Sequence, residues 1–395
     1  LISTFFIFTG FYVQDVIAQE SSEPRLEEVV VTAQKKEQGL SEVPISIQVL
    51  SSERITDMGV SSWEEIAQYV PGLTVAKGVQ EQSIYMRGVG SGTNKGFEQS
   101  VTQFVDGMSV TRSQQYTVPL LDLERIEVLK GTQGVLFGKN TIAGVINTVS
   151  KSPVIGGDLD AYISQELVND WSTNKLNMAT NIPVSDNFAI RVALSSNESD
   201  GWVDNAFTNE KEPKTKSEAI RATFLYELDD MEINLKVFKS DSERIGQHSQ
   251  VTHWGLAAPP PTIIAAGRTV SVAAFSIANA AFPQLAQNVG KDFTTTNSMN
   301  IYGSQNPNGG TNDAENIILN IKTSANDHDL SWTSTMSEYD FTEGADADMS
   351  PLDFLSVSGN EQYESTTHEL VITSPSSDTF EYIAGFFIEE TEYSF

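Results

Sequence analysis

Four histidines, a group of carboxylates and one glycine-rich loop are the residues whose types could do chemistry in this chain. His248 and His253 lie five apart in the longest polar stretch. With a third donor such a pair would hold a metal or a haem iron, but no further ligand stands near them, and two loop histidines are an incomplete site. His328 falls in a short turn and His368 on one face of an alternating segment, and neither forms a nucleophile–base set. Glu343, Asp346, Asp348 and Asp353 read as a solvated acidic loop. Gly134–Thr141 imitates a phosphate loop, yet Gln133 stands where that motif needs its first glycine and Asn140 where it needs Ser or Thr. There is no cysteine, which excludes disulfides, thiolate metal sites and thiol nucleophiles. The expectation is a chain with no catalytic residues, no metal and no cofactor, and hence not an enzyme.

Two other sets point to binding. Arg87, Arg125, Glu127 and Lys130 are charges inside otherwise apolar strand contexts, and buried charges must be paired. Glu28-Val29-Val30-Val31-Thr32-Ala33 is a short β-prone run in a polar, charged neighbourhood. It is too short to build a core and too apolar for a plain linker. It fits either strand addition to the sheet edge of another protein or an edge strand of the domain that follows.

These residues are distributed over four regions. Residues 1–18 read as a signal peptide without its basic start, with Phe5–Phe8 as apolar stretch and Val16-Ile17-Ala18 as cleavage pattern; a short buried helix is the alternative. Residues 19–39 are an exposed tail holding the β-prone run. Residues 40–153 mix helix and strand signals: Ser61 or Ser62 with Glu64 or Glu65 makes a capping box, Pro71-Gly72 stops that helix, and Asp106-Gly107 between Val101–Val105 and Met108–Val110 marks a hairpin. Further strands are expected at Ile45–Leu50, Ser83–Met86, Arg125–Leu129 and Val145–Val149.

Residues 154–395 alternate with period two. Ile220, Ala222, Phe224, Tyr226 and Leu228 share one face of a strand, with Arg221 and Thr223 on the other. Met231, Ile233, Leu235 and Val237 oppose Glu232, Asn234 and Lys236. Nine strands are expected, at 158–168, 172–182, 188–197, 217–228, 231–241, 315–324, 329–340, 363–373 and 380–392. Short connections (Pro183–Asn187, Asp229-Asp230, Ala325–His328, Ser374–Thr379) alternate with long ones (Glu198–Lys216, Ile245–Asp313, Thr342–Glu361). Sorting by length at the two ends is the habit of an outer-membrane barrel; a soluble sandwich is the competing fold. Arg221, Lys236 and Lys322 on the wet face favour the polar lumen. No apolar run approaches the ~20 residues of a spanning helix. The net charge of 24 − 53 = −29 argues against nucleic acid and anionic lipid as partners.

The motifs of residues 28–147 resemble those of the TonB-dependent outer-membrane receptors of the siderophore-receptor type. The resemblance rests on Val43-Pro44-Ile45-Ser46-Ile47, Tyr69-Val70-Pro71-Gly72-Leu73, Tyr85-Met86-Arg87-Gly88-Val89-Gly90, Val105-Asp106-Gly107, Leu123–Gly131, Gln133–Thr141 and Ala143–Asn147. It implies a membrane β-barrel of 22 strands, of which about nine are present here, antiparallel and partial, with an N-terminal α+β plug domain at 40–153 and the barrel from 154 to 395. It implies that Glu28, Val29, Val30, Val31, Thr32 and Ala33 form the TonB box, and that TonB, driven by ExbB–ExbD, pulls on it. Arg87, Arg125 and Glu127 become locks between plug and barrel wall. Gly88, Gly90, Gly131, Gly134, Gly138 and Gly144 serve tight backbone paths inside the lumen. Ligand contacts are expected on the plug apices, at Ser91, Gly92, Thr93, Asn94, Arg112, Gln114, Gln115 and Tyr116. The implied setting is the outer membrane of a Gram-negative bacterium, with lipid and lipopolysaccharide around the barrel, the latter also reachable from the acidic loop through divalent cations. The implied cargo is a ferric siderophore, with haem, cobalamin or an oligosaccharide as alternatives and a passive porin as a remote one.

Overall fold

The computed structural model describes residues 30–32, 35–36, 38–60, 62–77, 82–92, 96–117, 119–168, 172–206, 208–247, 263–265, 268–270, 294–295, 308–346, 356–375 and 380–395. The expected signal at 1–18, the histidines His248 and His253, and Glu28, Val29, Ala33, Thr93, Asn94, Asp348 and Asp353 lie outside them.

The first unit begins with two two-residue strands, β1 (Val30–Val31) and β2 (Gln38–Gly39), paired antiparallel. β3 (Ile47–Ser51) leads into α1 (Ser52–Met58), which Ser51 caps by accepting from the Arg54 backbone and which ends at Gly59 in the left-handed region, φ +64°. α2 (Trp63–Ala67) starts at Ser62 with a complete capping box: Ser62 Oγ accepts from Glu65 N and Glu65 Oε2 from Ser62 N. β4 (Leu73–Lys77) and β5 (Gln82–Met86) form a separate hairpin. β6 (Val101–Val105) and β7 (Met108–Val110) turn through Asp106 and Gly107, both at positive φ. β8 (Leu123–Lys130), the single-turn α3 (Gly134–Phe137) and β9 (Gly144–Ser150) complete it. The main sheet runs β3-β8-β9-β6-β7, with β6 and β9 parallel. Leu50, Ile66, Ile84, Met86, Val101, Ile126 and Ile146 are its core.

The second unit is a nine-stranded antiparallel sheet in which long strands follow one another as neighbours: β10 (Asp160–Val168), β11 (Thr173–Ser185), β12 (Phe188–Ser199), β15 (Lys214–Leu228), β16 (Met231–Ile245), β20 (Gly309–Ala325), β21 (His328–Asp346), β22 (Ser356–Thr373) and β23 (Ile383–Ser394). Short strands decorate the long connections: β13 (Val203–Asn205), β14 (Glu210–Glu212), β17 (Ile263–Ala265), β18 (Arg268–Val270) and β19 (Thr294–Thr295). Asn326 and Asp327, both at positive φ, close the β20–β21 hairpin as a two-residue turn between the partners Ala325 and His328.

Alternation places each face. Ile317 is 40% and its ladder partner Met336 56% exposed, whereas Ile318, the next residue of the same strand, is 3% exposed and joins the core of the first unit. The dry face therefore points outward and the polar face inward, onto the plug. This is a barrel wall and not one layer of a sandwich, because among the described residues its apolar side packs against no second sheet. No helix among the described residues is long and apolar enough to cross a membrane.

All nine expected strands are present, and several run longer toward the long-loop end than the alternation marks. β20 begins at Gly309, β21 ends at Asp346 and β22 begins at Ser356. The backbone ladder continues beyond the apolar belt, where outward positions turn acidic at Asp241, Asp313 and Asp340, which are in register. The acidic loop is corrected by the same extension: Glu343 and Asp346 belong to β21 and are buried, not solvated. α1 was not legible, since Ser52–Met58 carries only a weak apolar face.

Candidate functional site

Two polar centres surround the strand β8. The first faces the tail. β1 and β2 leave Val30 half-exposed and bury Val31 completely against Phe104, Leu129 and Val145. The next residue, Thr32, donates its backbone N–H to Glu127 Oε1 (3.0 Å) and its hydroxyl to the same oxygen (3.3 Å). Glu127 is fully buried. Arg125 Nε donates to Oε1 (2.8 Å), and Asn147 Nδ2 donates to Oε2 (3.1 Å) and to Thr32 Oγ1 (3.2 Å). Farther along the tail, Lys35 Nζ meets Glu369 of β22 at 2.8 Å and stands over the rings of Phe104 and Phe137. Lys36 reaches Glu381 at 3.5 Å. The described part of the tail is thus folded back and held, not free as its composition suggests.

The second centre faces the wall. Asp122, which immediately precedes β8, is bound by both arms of Arg191, through Nε (2.7 Å) and Nη2 (2.8 Å). Arg221 donates to the carbonyls of Leu121 (2.8 Å) and Asp122 (2.9 Å) and approaches the Asp122 carboxylate at 3.4 Å. Asp106, at the β6–β7 turn, pairs with Lys236 at 2.6 Å and accepts from Ser150 N (2.9 Å) and Ser150 Oγ (2.7 Å). Burial works to raise the Asp106 pKa, but the charges of Lys236 and Arg221, with the hydrogen bonds, outweigh it and hold it below the carboxylate range. Bidentate guanidinium contact and satisfied lone pairs are the conditions under which a buried ion pair holds. An apolar cavity lies beside this centre, between Met108, Val110 and Leu121 of the plug and Phe238, Ile318 and Tyr339 of the wall.

The expected lock residues are placed differently. Arg125 and Glu127 form a pair, but they hold the tail, because the middle of β8 sits under β1 and not against the barrel. Arg87 is exposed in a turn at positive φ, and its guanidinium meets Ser46 of the same domain (3.2 Å). Lys130 bonds Gln48 (3.3 Å), and burial with the nearby Arg87 charge lowers its pKa. Asp122 and Asp106, which join the plug to wall cations in buried ion pairs, were missed. The available signal was present in both: each is an aspartate in an apolar plug context, and the wet-face cations Arg221 and Lys236 needed partners.

The ligand candidates divide. Ser91 accepts from Ser100 N (2.8 Å) and donates to Glu98 O (2.9 Å), which fixes one apex, with Gly92 beside it. Arg112, Gln114 and Gln115 are buried against the wall and not displayed: the Arg112 guanidinium stacks on Tyr393 (3.9 Å), Asn312 donates to Gln114 O (2.9 Å) and Gln115 donates to Ser337 Oγ (3.1 Å). Tyr116 belongs to the same turn. Of the glycines, Gly144 is required by contact, since a Cβ would fall 2.2 Å from Met86 Sδ; Gly90 is likewise closed by Tyr85, and Gly88, Gly131 and Gly138 have positive φ. Gly134 has neither constraint, as the first residue of α3 with open space around it. His328 bonds Tyr382 Oη (2.7 Å) and His368 bonds Ser334 (2.9 Å), both away from either centre. No group of three or more metal-ligating side chains occurs among the described residues.

Residues 39–145 match the family model described as "TonB-dependent Receptor Plug Domain". The vitamin B12 transporter BtuB of Vibrio vulnificus (strain CMCP6) is 34% identical over 131 residues, 31% of this chain and 20% of that protein. The pesticin receptor of Yersinia pestis is 29% identical over 138 residues, 34% of this chain and 20% of its own. In structure, the ferric yersiniabactin uptake receptor FyuA from Yersinia pestis superposes with a TM-score of 0.70 at 19% identity, covering 88% of this chain and 49% of that one. The ferripyoverdine receptor of Pseudomonas aeruginosa gives 0.66 at 14% identity, covering 92% and 45%. The chain thus spans a fifth of the curated relatives in sequence and about half of the solved barrels in fold.

Proposed function

From a chain that carries the plug of a TonB-dependent receptor, seated against a partial barrel wall of the same outer-membrane fold, we propose an energy-coupled importer in which Glu28–Ala33 is the TonB box and a ferric siderophore is the cargo. The observation that carries this reading is the arrangement around β8. Asp122 and Asp106 tie the plug to the wall through buried ion pairs, while the tail is held by backbone pairing, one buried valine, hydrogen bonds to Glu127 and the partly solvated bridges of Lys35 and Lys36. A segment meant to be pulled must detach at a lower cost than the domain behind it.

TonB would then bind Val30–Val31 by strand addition, taking over the backbone groups that β2 now occupies. Cargo would arrive from the long-loop end and contact the plug apex at Ser91–Gly92. Arg87, Arg125 and Glu127 are assigned to plug integrity and tail docking and not to wall locks. A cobalamin-type cargo has its own support in the 34% identity of the B12 transporter over the plug. Growth of receptor-deficient hosts carrying the full-length gene separates these, one host limited for iron and given ferric chelates, the other dependent on cobalamin and given cobalamin; rescue by cobalamin alone rejects the siderophore. The coupling step is tested by Val30→Pro, which removes a ladder donor. Energised uptake is expected to fall to background with ligand binding retained, and uptake at the unmutated rate would reject the box assignment.

A further inference from the structure

The lipid-facing side of the wall is interrupted at one place. In the ladder, Ile190, Phe224, Leu235 and Leu319 form one outward row on β12, β15, β16 and β20. The row then reaches Ser334 on β21 and His368 on β22, and Ile388 on β23 makes it apolar again. The neighbours fix the face. Glu369 bonds Lys35 of the tail and Glu389 bonds Lys139 of the plug, so His368 and Ile388 point the other way. The adjacent row toward the short turns carries Phe188, Tyr226, Trp332 and Phe386, an aromatic girdle of the kind that borders a membrane belt. His368 therefore lies one pleat, about 7 Å, inside that belt.

Ser334 Oγ and His368 Nδ1 are 2.9 Å apart. The contact satisfies one ring nitrogen, and an imidazole has two. His368 is exposed, so Nε2 is open to a group from outside the chain. Toward the long loops the outward positions turn polar and then acidic, with Thr366 beside Glu390 and, in the next row, Glu338, Glu364 and Glu392. Lys239 answers Glu315 in that row. Among the described residues no cation meets Glu338, Glu364 or Glu390, and residues 347–355, which join β21 to β22, include no Lys or Arg.

Polar side chains on the lipid face of a barrel cost stability, and ionisable ones kept within a membrane mark functional contacts. We propose that the outward face of β21–β23 is a docking surface for another outer-membrane protein. That partner offers His368 a hydrogen-bonding side chain within the bilayer, and Lys or Arg to Glu338, Glu364 and Glu390 at its outer edge. Charge complementarity selects this occupant. A second copy of the chain would set these carboxylates against themselves, because a two-fold contact lays a patch on its own image. Anionic glycolipid would meet the same repulsion. The proposal goes beyond the importer reading and rests on the barrel alone.

The test uses the full-length receptor in its own outer membrane. A photoreactive benzoylphenylalanine replaces Leu370, next to His368 on the same face, or Phe188, in the same row as Leu370 but five strands away on β12. Irradiation is expected to join position 370 to a second protein, through a segment bearing Lys or Arg, and position 188 to lipid only. His368→Leu should lower the yield about three- to thirtyfold, the loss of one hydrogen bond within a membrane. Glu364→Gln with Glu390→Gln should lower it as well and remove its decline with added salt. His368→Leu also completes the apolar row, so the variant barrel should resist heat in detergent at least as well as the wild type, read by heat-modifiable gel mobility. A less heat-resistant or unfolded His368→Leu barrel makes the Ser334–His368 pair structural and overturns the proposal. So do equal protein adducts at both positions, no protein adduct at 370, an adduct with lipid A alone, an adduct of two copies of this chain, or a yield indifferent to His368→Leu.

Discussion

Asp122 and Glu127 are buried carboxylates five residues apart, and they face different neighbours. Asp122 meets two guanidinium groups from two adjacent wall strands. Glu127 meets one guanidinium from its own strand, one amide and the backbone of the tail. Removing one partner of a buried ion pair strands the other charge, at about 3–5 kcal/mol. Removing a hydrogen bond whose partners can reach water again changes stability by about 0.5–1.5 kcal/mol. The same residue type is thus an anchor where its partners are fixed charges and a catch where its partner is a strand end. The difference sorts the plug into a part that stays and a part that can leave.

The largest effect expected from that comparison is at the anchor. Asp122→Asn keeps the shape but leaves Arg191 and Arg221 facing each other without an anion. Seating of the plug should weaken by about 3–5 kcal/mol, seen as protease cleavage within residues 119–150 of the full-length receptor in detergent and as raised pore conductance in bilayers. A plug as resistant as the wild type would erase the distinction between anchor and catch.

The second anchor adds a pH signature. The folded pKa of Asp106 is depressed, so the unfolded form binds the proton more readily. Its contribution is complete above the ordinary value of 3.8 and disappears as the pH falls through the lower folded value. Plug seating should therefore be flat from neutral pH down to mildly acidic conditions and fail only in strong acid. Asp106→Asn should remove that acid transition. An unaltered acid profile in the variant would assign the transition to another group.

Legibility in the sequence differs between the two units for a physical reason. The wall strands were readable because their period-two pattern answers to a uniform medium on each side, so Ile317 and Asn316 sort themselves without knowledge of any partner. Their ends were misjudged because backbone pairing outlasts the apolar belt, as at Glu343 and Asp346. In the plug, Asp106-Gly107 and the Ser62–Glu65 box were readable as local chemistry. The role of each charge was not. Which of Arg87, Arg125, Glu127, Asp106 and Asp122 meets the wall depends on how the plug is turned in the lumen, and no local pattern encodes that.

At the catch, Glu127→Gln keeps an acceptor for Thr32 but removes the charge. The tail should detach more easily by about 1–1.5 kcal/mol, roughly a five- to tenfold rise in the free fraction. The chain has no cysteine, so a single nitroxide on Val30→Cys, a half-exposed position, reports the mobile fraction directly. An unchanged spectrum would mean that burial of Val31, and not Glu127, governs docking.

The smallest effect belongs to Lys35, whose bridge to Glu369 is partly solvated on both sides. Such a pair is worth at most about 1 kcal/mol and is screened by salt. Its ammonium also sits over Phe104 and Phe137 at 5.6 and 5.2 Å from the ring centres, which adds an attraction of similar size. Lys35→Met keeps the aliphatic contact with those rings and loses both electrostatic parts. With the same Val30 label, the wild-type tail should loosen as salt rises from about 0.05 to 0.5 M, which shortens the Debye length about threefold. The Lys35→Met tail should start looser and respond little. Glu127→Gln should keep the salt response, because its lost contact is fully buried. If both variants respond alike, the tail is held by one cooperative contact and the catch cannot be divided into a buried and an exposed half.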